Sequence, residues 1–424
     1  MTAQAATPIP AALPAMGFKQ FVGLVAALMA VNALAIDSML PALPAIGRSL
    51  GIEDENQRQW IVTAYLLGFG AAQIVYGPLA DRFGRKPVLL CGLAAYVAFS
   101  GLAAFSTSFA MLLAARALMG VGAAATRVLA VSIVRDCYSG RDMARVMSLA
   151  FIVFLAVPIL APSIGQIIML FGPWRWVFGG LGLFAATVAT WVTLRLPETL
   201  HPADRLPFAP GRVAGAFRLA LTSRIAVGYM LAMTLVLGAL FGFINSAQQV
   251  FADTLSRPEL FTTVFAFIAG FMALSSFLNA RIVGRLGPRR VSHAALCGFI
   301  AISALHALVS VSGHETLVSF ALLQAGVMFC FGLVASNFGS LAMEPLGHVA
   351  GTASSVQGFV TTFGGALLGF FVGQHFDGTT VPLSAGFAGY GLLALGVVLV
   401  AERGRLFGLG RPAAPAGAVD AALH

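Results

Sequence analysis

Three charged side chains, Asp37, Arg116 and Arg127, interrupt stretches of sequence that are otherwise long and apolar enough to sit in a bilayer. A charge near the membrane centre costs about 2.5–3.5 kcal/mol, so each of the three is a candidate for function. A carboxylate there becomes a proton site if its surroundings alternate, because a nearby arginine favours the charged form and a dry apolar wall the neutral one. Counted at 1.5 Å per residue from the start of each stretch, Asp37 and Arg116 fall in the same half of the membrane. They meet if their helices are neighbours, and together they are expected to couple protons. Asp37 has a second reading, a residue at the water interface capping helix ends ahead of Pro41. Arg116 and Arg127 lie eleven residues apart, which leaves about 20° between them around a helix, so they share one face. Arg127 either lines the same path or snorkels toward the nearer surface.

Uncharged polar residues within the apolar stretches complete the substrate-pathway candidates: Asn32, Tyr65, Gln73, Gln166 and Asn245. Each has the plainer alternative of a helix–helix hydrogen bond, as does Gln324, and His306 reads as structural. Gly23, Ala26, Ala30 and Ala33 share the face of Asp37 and either line a cavity or allow close helix packing. There is no His/Cys/acid cluster with metal spacing, no nucleophile–base pair and no phosphate-binding glycine loop. No metal or cofactor is expected, and a membrane enzyme or receptor is only a remote alternative.

What must position these residues follows from composition. Of 424 residues, 59% are hydrophobic and 10% charged, with a mean hydropathy of +0.90. A soluble domain carries about a quarter of its residues as charges, so that class is excluded, and so are disorder and an alternating β-barrel. The class left is an all-α polytopic membrane protein. Apolar runs predict twelve transmembrane helices near 18–40, 60–80, 88–106, 109–133, 148–170, 176–194, 225–247, 260–280, 291–311, 316–340, 352–373 and 385–402. No cleaved signal peptide is expected ahead of the first. Nineteen of the 25 Lys and Arg fall in one set of connecting segments and four in the other, the remaining two being Arg116 and Arg127. That bias puts both termini in the cytoplasm. It also accounts for the net charge of +9 as anchors spread over many loops, which excludes a nucleic-acid surface.

The organisation expected is a tail at 1–17, a six-helix bundle at 18–196, a polar connection at 197–223, a second bundle at 224–405 and a tail at 406–424. Asp81-Arg82-Phe83-Gly84-Arg85-Lys86 is echoed by Gly284-Arg285-Leu286-Gly287-Pro288-Arg289, an offset of 203 residues (284 − 81). Two repeats around a central site is an architecture of secondary transporters. A basic turn recurring by chance is the alternative.

The segment Gly77-Pro78-Leu79-Ala80-Asp81-Arg82-Phe83-Gly84-Arg85-Lys86-Pro87 resembles the signature loop of the major facilitator superfamily. Three further stretches resemble one branch of it, the drug:proton antiporters of the bicyclomycin-resistance type. They are Asp37 to Pro44, with its acid before Leu-Pro pairs; Arg116 to Ala124, followed by Arg135-Asp136-Cys137-Tyr138; and Pro158 to Gly165, followed by Trp174-Arg175-Trp176. In the second half only Gly351-Thr352-Ala353-Ser354-Ser355 looks typical. Gln166 and Met119 depart from the usual pattern, and Met29 stands where some relatives have a second acid.

The resemblance implies two pseudo-symmetric six-helix bundles of the major facilitator fold. Gly77, Asp81, Arg82, Gly84, Arg85 and Lys86 would form a gating loop, and Pro158, Pro162 and Gly165 a hinge in the fifth helix. The protein is expected to be a proton-coupled exporter of drugs or small amphiphilic molecules, acting as a monomer in a bacterial inner membrane, with protons, substrate and lipid as its partners. Uptake or exchange of a metabolite on the same fold is the alternative, and a single membrane carboxylate argues against strongly cationic substrates.

Overall fold

The computed structural model describes residues 16–205 and 210–408, and within them all twelve expected spans are helices. Most of the two expected tails lies outside the described residues, as does Pro207 of the central connection. The first six spans are α1 (Phe18–Asp37), α2 (Trp60–Phe83), α3 (Arg85–Ala104), α4 (Phe109–Cys137), α5 (Gly140–Phe171) and α6 (Arg175–Arg195). The second six are α7 (Arg224–Gln249), α8 (Phe261–Leu286), α9 (Pro288–Val311), α10 (Leu317–Met343), α11 (Ala350–Gln374) and α12 (Val381–Ala401). Several run past the apolar windows, α5 starting at Gly140 and α8 reaching Leu286. Backbone hydrogen bonds continue a helix beyond the hydrocarbon edge, whereas an apolar window reports only the part that lipid requires to be greasy. Two short helices were not expected: Leu43–Ser49 just beyond Asp37, and Pro210–Thr222 in the central connection.

The expected gating loop at 77–87 is corrected to a helical joint. Gly77, Asp81 and Arg82 are helical, α2 runs through Pro78 to Phe83, and α3 starts at Arg85. Gly84 alone turns the chain, at φ 101° and ψ 158°, a conformation open to glycine and costly for other L-residues. Gly287 joins α8 to α9 in the same way, at φ 81° and ψ 151°. The offset of 203 residues is therefore a repeat of backbone geometry, which two unrelated basic turns would not share.

Within the first bundle α4 is the central packing element. Gly120 lies against the backbone of Tyr65 and Phe69 on α2, and a Cβ at Gly122 would lie 2.7 Å from both the Gly92 oxygen and the Tyr96 nitrogen of α3. The glycine-rich stretch after Arg116 thus lets α4 approach two helices at backbone distance. Ala26, Ala30 and Ala33 are buried as α1 packs against α4, α5 and α6, which selects the packing reading of that small-residue face. The two bundles meet along two seams, α2 against α11 and α5 against α8.

Candidate transport site

Asp37 is the last residue of α1 and is 5% exposed. Its Oδ1 is buried and accepts no hydrogen bond from the described residues, so it does not cap a described helix through that atom. Arg116 on α4 is fully buried. Its Nε donates to the Ile61 carbonyl at 3.0 Å, its guanidinium lies 4.4 Å from the Tyr65 ring centre and 5.8 Å from that of Phe178, and both terminal nitrogens lack a hydrogen-bond partner among the described residues. The expectation that Asp37 and Arg116 meet needs correcting at this point: α1 and α4 are neighbours, but among the described residues the two form no ion pair. Both carry buried polar atoms without a partner among the described residues, a condition that costs free energy and favours any rearrangement or proton that satisfies them.

Two other candidates join Arg116. The Tyr65 hydroxyl donates to Asn32 Oδ1 at 2.8 Å, so α1, α2 and α4 are tied through Asn32, Tyr65 and Arg116. Arg127, toward the other end of α4, is exposed although residues 122–126 before it are buried, and it bonds to no described residue.

Three expected pathway residues turn out to bridge the bundles. Gln73 donates to Thr362 Oγ1 at 3.2 Å, Asn245 to Thr63 Oγ1 at 3.4 Å, and Gln166 Oε1 accepts from Thr262 at 2.8 Å. Each thus makes a helix–helix hydrogen bond, and each pair spans the two halves. A second cross-bundle group sits at the ends of α2, α7 and α11 remote from the Gly84 joint. There Gln59 Nε2 donates to Gln249 Oε1 at 2.6 Å and to the Gly373 carbonyl at 2.9 Å, while Asn56 Nδ2 donates to the Phe376 carbonyl at 3.0 Å. Composition gave no sign of this amide cluster, whose residues read as ordinary polar ends of spans. Gln324 is buried with both amide atoms unpartnered among the described residues, and His306 is held by Glu315 at 2.6 Å.

Of the three residues expected to form a hinge, Gly165 packs beside the segment that carries the acid. Helix α5 runs unbroken through Pro158 and Pro162, and Gly165 sits against the carbonyl of Ser38, the residue after Asp37, leaving no room for a side chain. Gln166 follows on the same helix and makes the bond to Thr262. The segment carrying Asp37 is therefore two contacts away from the α5/α8 seam.

The Gly84 joint is a charge network. Arg85 pairs with Asp81 at 2.6 Å and with Asp136 at 3.0 Å, and Asp136 also accepts from Thr199 at 3.0 Å. Glu198 accepts from the backbone N–H groups of Arg85 at 2.8 Å and Lys86 at 3.2 Å, an anion capping the start of α3. Lys86 Nζ donates to the Thr193 carbonyl at 2.9 Å, whereas the Arg82 guanidinium lies 5.5 Å from the Phe83 ring centre. A Cβ on Gly77 would lie 3.0 Å from Ser355 Oγ on α11. Glu198 was not expected; its one signal is an acid just after the sixth span.

A sequence profile described as Major Facilitator Superfamily matches residues 25–369. The bicyclomycin resistance protein homolog of Haemophilus influenzae is 30% identical over 352 residues, 82% of this chain and 87% of the relative. The multidrug resistance protein MdtL of Escherichia coli O81 is 30% identical over 343 residues, 80% and 85% respectively. Among solved structures, a peptide transporter crystallised with sulfate superposes with a TM-score of 0.73 at 15% identity, over 94% of this chain and 99% of the other. The human organic anion transporter MFSD10 gives 0.62 at 20% identity, over 91% and 100%. At these identities the solved structures speak for the fold.

Proposed function

The chain belongs to the major facilitator superfamily and is a multi-pass membrane transporter, and we propose that it is a proton-coupled exporter of small amphiphilic molecules in a bacterial inner membrane, with both termini in the cytoplasm. The observation that carries this reading is the path from Asp37 through Ser38 and Gly165 to the Gln166–Thr262 bond between the bundles. Protonation of the acid removes a buried charge from the end of α1. The resulting shift is passed by backbone contact to α5, and α5 holds the seam.

In this reading the amide cluster of Asn56, Gln59 and Gln249 closes the periplasmic side, and Arg127, exposed toward the other end of α4, belongs to the cytoplasmic part of the substrate path. Substrate enters from the inside against α4. Opening to the periplasm breaks neutral amide bonds, each worth about 1 kcal/mol net, which a single proton on Asp37 suffices to offset in part. Arg116 supplies a fixed positive field that favours deprotonation when Asp37 approaches it. Relatives named for multidrug and bicyclomycin resistance support export of drug-like molecules.

A growth-inhibition panel with and without expression tests the substrate class. Protection against a set of neutral or weakly acidic amphiphiles is expected, and inverted vesicles acidified inside should accumulate the same compounds above the level of vesicles lacking the protein. Protection against none, or loading only in vesicles made alkaline inside, overturns export.

A further inference from the structure

An apolar groove of about 490 Å³ runs along the inner ends of α8, α9 and α10, walled by Ile282, Leu286, Val291, Ala294 and Leu333, with Arg290 and Phe407 at its rim. Arg289 and Arg290 are adjacent and differ in their environments. The Arg289 guanidinium is saturated by Glu344 and Glu402, each at 2.8 Å. Arg290 is exposed, gives only its Nε to the Phe407 carbonyl at 3.4 Å, and pairs with no acid among the described residues.

The rim is built rather than frayed. After α12 the chain folds back over the start of α9, with Arg403 at φ 54° and Phe407 at φ 62°. Non-glycine residues rarely adopt that conformation, and it persists where contacts over-determine it. Here the Phe407 N–H donates to His293 Nδ1 at 3.0 Å and its ring meets the His293 ring at 5.9 Å, yet the residue remains 44% exposed beside the groove. The backbone is thereby held so that Arg290 Nε is engaged and its two terminal nitrogens point free.

We infer that this groove binds one anionic phospholipid, its acyl chain lying in the apolar trough and its phosphate on the two free nitrogens of Arg290. Charge complementarity selects the occupant. The trough is walled by three membrane-spanning helices, and a guanidinium fork matches the two oxygens of a phosphodiester. A zwitterionic headgroup brings its own cation and gains less from an unpaired arginine. The inference rests on the chain spanning a membrane and is independent of the direction or coupling of transport.

The test uses the full-length protein, delipidated in detergent, with lipid binding read by native mass spectrometry and by thermal shift. Dioleoylphosphatidylglycerol should bind about fivefold more tightly than dioleoylphosphatidylcholine, the worth of one arginine near an anionic surface. Arg290→Gln should bind the two lipids equally. Ala294→Trp, which fills the trough from an exposed position, should weaken both while leaving the melting temperature of the lipid-free protein unchanged. Equal binding by the wild type, or a preference that survives Arg290→Gln, overturns the inference. Inorganic phosphate that stabilises the protein as well as the phosphatidylglycerol does, with Ala294→Trp without effect, overturns it in favour of a free-anion site.

Discussion

The guanidinium of Arg116 rests 4.4 Å above the Tyr65 ring, and the same tyrosine donates its hydroxyl to Asn32 at 2.8 Å. An arginine buried in a membrane protein without an acid partner is thus held by a π face and a main-chain carbonyl. That arrangement keeps its charge uncommitted, so an approaching carboxylate meets a full positive field. It also gives Tyr65 two separable roles.

Tyr65→Phe keeps the ring and loses the hydrogen bond, at a cost of about 1 kcal/mol, whereas Tyr65→Leu also forfeits a desolvated cation–π contact worth about 2 kcal/mol. Melting temperatures of the purified proteins should therefore fall in the order wild type, Phe, Leu. Efflux should largely survive the first change and be lost in the second. Equal losses for both would mean that the hydroxyl, not the ring, supports Arg116.

Gln59 and Gln249 share a 2.6 Å hydrogen bond across the bundles, so their substitutions should not be additive. Gln59→Leu or Gln249→Leu should each raise the rate at which a cysteine placed at Asn245 is labelled by a membrane-impermeant maleimide from outside. The double variant should label little faster than either single one. Unchanged labelling would mean that the cluster does not close the outer side.

Much of this architecture was legible in the sequence and some was not, for identifiable reasons. Twelve helices follow from apolar length, because lipid imposes it residue by residue, and the Gly84/Gly287 repeat shows because a left-handed turn restricts residue choice. Asp37, Arg116 and Tyr65 stood out because a polar group in hydrocarbon is expensive. Their mutual arrangement did not follow, since α1 and α4 are neighbours that nonetheless leave the acid and the arginine unpaired. Glu198, Gln59, Gln249 and Thr262 were missed because polar residues at span ends are common, and their partners lie 96 to 314 residues away. Spacing carries no information at that range.

Glu402, just past α12, offers a check by pH. Burial pushes its carboxyl up, but hydrogen bonds from Arg289 and Tyr229 outweigh that and hold it below the usual glutamate range. A group with a depressed native pKa adds stability that is complete above its unfolded value and lost as pH falls through the native one. Glu402→Gln should therefore melt well below the wild type at pH 7, by the equivalent of about 2 kcal/mol. The gap should hold down to about pH 5 and close only in more acid buffer. A gap that widened on acidification would assign Glu402 the opposite role.

The central claim is that a proton on Asp37 drives export. Its most direct measurement is the loading of inverted vesicles, acidified inside, with a compound against which the wild type protects cells, comparing wild type with Asp37→Asn. The variant should bind the compound but accumulate none of it above the level of vesicles lacking the protein, and its loading should not respond to collapse of the pH gradient. Accumulation by Asp37→Asn at the wild-type rate, still abolished by collapsing the gradient, would contradict the claim and move the proton site elsewhere in the chain.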